Sequence, residues 1–160
     1  MNARPALCYL CGQPLSEPIG MDHVPMQQLY APEVRKAHSP NLLTIPVHDQ
    51  CNKSYQVDED YFVTALMPHA RGSCAGDAIY KRALDRYRGG GKVGLIRKVL
   101  AEFEPRPSGL VLPRNQVVQR FDGTRISRVA WKIVRGLYFP SPQQLLAREL
   151  DNRGVGDGTG

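Results

Sequence analysis

The helical pattern of apolar and polar positions is clearest over 125–138. Ile126, Val129, Ala130, Ile133, Val134 and Leu137 repeat at the spacing of one helix face, and Arg125, Arg128, Lys132 and Arg135 mark the other. A helix is also expected from Asp77 as N-cap to the stop at Gly89-Gly90-Gly91, and another carries Ile96, Val99, Leu100 and Phe103 before Pro105 ends it. The first third of the chain reads differently. Residues 19–25 form a short extended segment, and 41–47 form a second, which Pro46 demotes to an edge. Residues 26–38 between them suit a loop with a turn of helix, since Pro32 fits a first helical turn and Ser39-Pro40 ends it. Residues 52–66 are expected to be helical, unless the acids Asp58, Glu59 and Asp60 open a separate helix. One or two short strands are expected in 109–121 and a frayed glycine-rich tail over 151–160. The fold class is α+β, a strand-strand-helix unit over 1–66 followed by a mainly helical region over 67–150.

Two short spacings change this picture from geometry to chemistry. Cys8-x2-Cys11 and His48-x2-Cys51 each place two soft ligands at metal-ligand distance in sequence. A closed tetrahedral zinc site would staple a segment with little core of its own. Cys8-x2-Cys11 could instead be a redox pair, but such a pair follows a core strand and opens a helix, and only seven residues precede Cys8. His69 and Cys74 could compete with His48 for the metal. The N-terminal residues lack the apolar core of a signal peptide and no apolar run is long enough to span a bilayer, so a cytoplasmic chain with reduced thiols and no membrane partner is expected.

Between the knuckles lie Asp22-His23-Val24-Pro25 and Asn41-Leu42-Leu43, and Asn52 follows Cys51. This order resembles the HNH endonuclease family over roughly residues 8–60. The resemblance implies a ββα-metal nuclease unit (His-Me finger) that hydrolyses DNA with structural Zn²⁺ and a catalytic Mg²⁺ or Mn²⁺. Residue by residue, it implies Cys8, Cys11, His48 and Cys51 on the zinc, Asp22 and Asn52 on the catalytic ion, His23 as general base, and Asn41 ordering the loop that carries the base. His48 departs from the family pattern, in which the second knuckle is usually another Cys-x2-Cys. Asp22 and His23 are neighbours, so on a regular strand they face opposite sides, and a bulge is expected to bring both to one site.

Charge adds a partner. Residues 1–60 hold four basic against seven acidic side chains, net −3, while 61–160 hold seventeen against eight, net +9. A half-chain that positive attracts phosphate backbones, and Arg125, Arg128, Lys132 and Arg135 are the expected DNA contacts. The competing reading is a zinc-dependent nucleic-acid-binding module without activity; the joint presence of Asp22, His23 and Asn52 separates the two.

Overall fold

A computed structural model describes residues 6–38, 42–109 and 111–139. Strands β1 (Ile19–Val24) and β2 (Leu43–His48) pair antiparallel in unbroken register, from Ile19 opposite His48 to Val24 opposite Leu43. Their alternation is regular: Asp22, Val24, Ile45 and Val47 turn inward, whereas Met21 faces out. The expected bulge at Asp22-His23 is absent from this ladder. The connection between the strands holds a 3-10 turn, Gln27–Leu29, and helix α1, Pro32–His38, so the expected turn of helix is two separate pieces.

β2 runs directly into α2 (Asp49–Lys53), then α3 (Gln56–Leu66). The expected helix over 52–66 therefore starts earlier and is interrupted, but Ser54 and Tyr55 keep right-handed helical backbone, so side chains remain nearly in phase across the break. Helix α4 (Cys74–Arg88) starts on Ser73 instead of Asp77, because the Ser73 hydroxyl accepts from the Gly76 amide at 3.0 Å. Only glycine fits at position 76, where a Cβ would lie 1.8 Å from the Ala70 carbonyl oxygen. Helix α5 (Val93–Ala101), the short strands β3 (Phe103–Glu104) and β4 (Val118–Gln119), and helix α6 (Gly123–Tyr138) complete the described chain. Asn41 and the tail from 151 lie outside the described residues.

Two apolar clusters hold these elements. Cys8, Tyr9, Leu10, Val24, Ile45 and Val47 form the first, with Ile133 and Phe139 packed against it. Tyr61, Ala65 and Val99 form the second, joined by Leu95, Phe103 and Ile126. Helix α6 thus contributes to both, and packing crosses the expected boundary at residue 66. Close approach of α6 to β1 depends on Gly136, where a Cβ would come within 2.5 Å of a Val24 methyl.

The orientation of α6 corrects the sequence reading. Val129 is fully buried, yet Leu137 is 58% exposed and Lys132 only 3%. The inward face runs through Ile126, Val129, Lys132, Ile133 and Gly136, so the apolar stripe is inward over most of its length, but Lys132 is buried with it and Arg125 and Arg128 lie along its edge against acids of the protein. The acids on the facing surface explain this. Arg128 pairs with Asp58, donates to the Ser54 carbonyl at 3.1 Å and lies 4.2 Å over the Tyr55 ring. Arg125 sits 3.5 Å from Asp58 and 3.4 Å from Asp122. Arg128 and Arg135 are both exposed, and of the four it is Arg135 that makes no ion pair among the described residues.

Candidate functional site

The Cys8–Gly12 knuckle is closed by two backbone bonds, from the Gly12 amide to the Cys8 carbonyl at 2.7 Å and from the Cys8 amide to the Gln13 carbonyl at 2.9 Å. Gly12 makes the turn with φ +74, where a side chain would be strained. The second knuckle places His48 at the end of β2 and Cys51 one turn into α2. Donor atoms of Cys8, Cys11, His48 and Cys51 all lie within 4.8 Å of one another, so the Cys3His cluster could hold a metal ion such as zinc. His48 Nδ1 faces the cluster, 3.4 Å from Cys11 Sγ, while Nε2 lies 3.0 Å from the Pro14 carbonyl. The Ser16 amide donates toward the same Nε2 at 3.1 Å, so the loop residues Pro14 and Ser16 hold the ring with Nδ1 turned to the cluster. Burial alone would raise the Cys8 thiol, but backbone N–H groups of His48, Cys11 and Leu10 bring it down to about 7. Burial and the neighbouring cysteines push Cys51 up to about 11, as expected of thiols crowded without a cation. Cys74 is exposed and His69 is bonded to Gln119 at 2.7 Å; neither belongs to the cluster.

Beside this cluster an open depression of about 250 Å³ is lined by Asp22, His23, Gln27, Asn52, Glu59 and their neighbours. It meets Met21, Asp22 and His23 in succession, spanning both faces of β1 without a bulge. The imidazole of His23 is oriented by a chain of side chains. Arg35 can only donate, and its Nη1 lies 2.9 Å from Gln27 Oε1. The other end of that amide is therefore an NH₂ group, 2.7 Å from His23 Nε2. Nε2 then accepts, so the ring proton sits on Nδ1 and the basic lone pair is on the nitrogen facing Gln27.

Asp22 is only 5% exposed and fully engaged. Its carboxylate accepts from the Tyr9 hydroxyl, and Lys132 Nζ lies 3.0 and 2.9 Å from its two oxygens. The same ammonium pairs with Glu59 and lies 3.3 Å from Asn52 Oδ1. Burial and the Asp22 carboxylate push the Tyr9 phenol far up. The oxygens of Asp22, Asn52 and Glu59 are the hard donors a divalent ion takes. Lys132 stands between them, so ammonium and ion cannot share the place. Asp22, His23 and Asn52 are thus brought together as expected, while Lys132, expected on the DNA face, is at their centre.

No protein-family model, curated protein or solved structure matches the chain. The site must be read from its own chemistry.

Sequence reasoning missed Glu59, Tyr9 and Gln27. Glu59 had a signal: it follows Asn52 by seven residues, two helical turns, and the helical backbone through Ser54 and Tyr55 keeps the pair on one side. Gln27 lies four residues beyond His23, across a strand end, where no periodicity applies.

Proposed function

We propose that the chain is a zinc-scaffolded phosphodiester hydrolase of the HNH type acting on DNA, with His23 as general base. The observation that carries this is the convergence of Asp22, His23 and Asn52 on one open depression beside the Cys3His cluster. His23 Nε2, unprotonated and reachable once Gln27 yields, takes the proton from an attacking water. Gln27 and Arg35 hold the ring in the tautomer this requires. A Mg²⁺ or Mn²⁺ ion held by Asp22 and Asn52, with Glu59 beside them, would neutralise the phosphate and the departing 3′ oxygen. For that Lys132 must withdraw from the acids.

Lys132 is also the observation that favours a second reading. A lysine that satisfies Asp22, Asn52 and Glu59 supplies the buried positive charge itself, and the pocket is then a structural ion-pair network in a DNA-binding module without activity. A DNA-cleavage assay with zinc-loaded protein and a titration of Mg²⁺ or Mn²⁺ decides between them. Cleavage that depends on the added ion supports hydrolysis. DNA binding with no cleavage at any ion concentration supports the module.

A further inference from the structure

We propose that a second cavity, adjoining the His23 depression, is a subsite for a phosphate of the bound strand. The cavity, of about 230 Å³, lies between α1, α3 and α4 and is lined by Arg35, Arg82, Arg86 and Lys92, with Asp60 as its one carboxylate. That volume is below the roughly 300–1,000 Å³ of pockets that take drug-sized ligands, and suits a phosphate with its ester oxygens.

Two observations point to an anion. Lys92 pairs with Asp60, which leaves the three guanidinium groups without a carboxylate from the cavity wall. Arg82 also borders a neighbouring depression with Glu33 and Asp85, but makes no ion pair with either, and Asp85 is 3.7 Å from Arg88. Most telling is Arg35 Nε, a buried donor with no partner among the described residues. A buried donor left unpaired is destabilising, and an anion supplies the missing acceptor.

The position matters as much as the charge. Gln27 and Gln28 line both this cavity and the His23 depression. Arg35, which faces the cavity, is the residue that fixes Gln27 and through it the His23 ring. A strand whose reacting phosphate lies at His23 can therefore place a flanking phosphate against Arg35, Arg82 and Arg86. The identity of the ligand as a nucleic-acid strand rests on the hydrolase reading; the phosphate chemistry of the cavity does not.

The test follows the arginine Nε–H resonances of the full, zinc-loaded chain by NMR during titration with inorganic phosphate and, separately, with dithymidine monophosphate, which carries one internal phosphodiester. Both probes are expected to shift Arg35 Nε–H, and R82Q/R86Q, at two solvent-accessible residues on the cavity-lining face of α4, is expected to weaken both at least tenfold. Response to inorganic phosphate alone would overturn the strand subsite. No response at Arg35, or equal affinity in the double variant, would overturn the phosphate site altogether. A chain that binds dithymidine monophosphate here yet cleaves no DNA upholds this subsite and refutes the hydrolysis.

Discussion

Lys132 concentrates the chemistry of this molecule in one ammonium group. It is 3% exposed and bridges Asp22 on β1 and Glu59 on α3. Removing one partner of a buried ion pair leaves uncompensated charge, at about 3–5 kcal/mol. Lys132→Met should therefore lose roughly that much stability in denaturant unfolding, and millimolar Mg²⁺ should restore part of it, because the freed oxygens can then take the ion. Unchanged stability would show that the network carries no net energy. That the four knuckle residues gather, and that Asp22, His23 and Asn52 line one depression, was legible in the sequence, because order and spacing carry information without a fold. The Lys132, Glu59 and Tyr9 contacts were not, because they join residues far apart in sequence, such as Asp22 and Lys132.

At the scale of elements, α6 shows how a correctly placed helix can have its basic residues assigned to the wrong partner. The pattern predicted a helix over 125–138, and Asp122 caps one that begins at Gly123. It also predicted an apolar face inward, and Ile126, Val129 and Ile133 do pack into the two clusters, but Val134 and Leu137 are exposed and three of the basic residues meet Asp58, Glu59 and Asp22. A periodicity defines two faces; the acids that choose between them lie on other elements. R128A/K132A should consequently lower the melting temperature instead of merely flattening the salt dependence of DNA binding. Gly136→Ala tests the seat of the helix separately. Its new methyl meets Val24 within 2.5 Å, so overpacking should cost about 1–3 kcal/mol in thermal or denaturant unfolding. Wild-type stability in that variant would mean that α6 does not rest on β1 as described.

Across the whole molecule, the charge asymmetry that suggested a polyanion partner is partly satisfied within the chain. Asp22, Asp58, Glu59 and Asp60 from the acidic half pair with Lys132, Arg128, Arg125 and Lys92 from the basic half. The cations that remain for a partner are those around the α1–α4 cavity and exposed residues such as Arg135. The metal cluster sets a second global dependence. Cys8 has its thiol held down near 7, so its thiolate adds stability that is complete above its ordinary 9 and lost as pH falls through 7. A zinc site there needs all three thiolates, so apparent zinc affinity should fall by at least about tenfold per pH unit below 7, measured by competition with a chelator. Chelation at neutral pH should unfold the β1–β2–α2 region, seen as loss of amide protection around Ile45 and Val47.

The central claim is that His23 performs proton transfer in phosphodiester hydrolysis, and single-turnover cleavage of labelled DNA tests it most directly. Wild type and His23→Ala, both zinc-loaded and supplied with Mg²⁺ or Mn²⁺, are compared, with DNA affinity measured in parallel. The account predicts a fall in rate of about a hundredfold or more at nearly unchanged affinity. Equal cleavage by the two proteins, or no cleavage by the wild type, would contradict it.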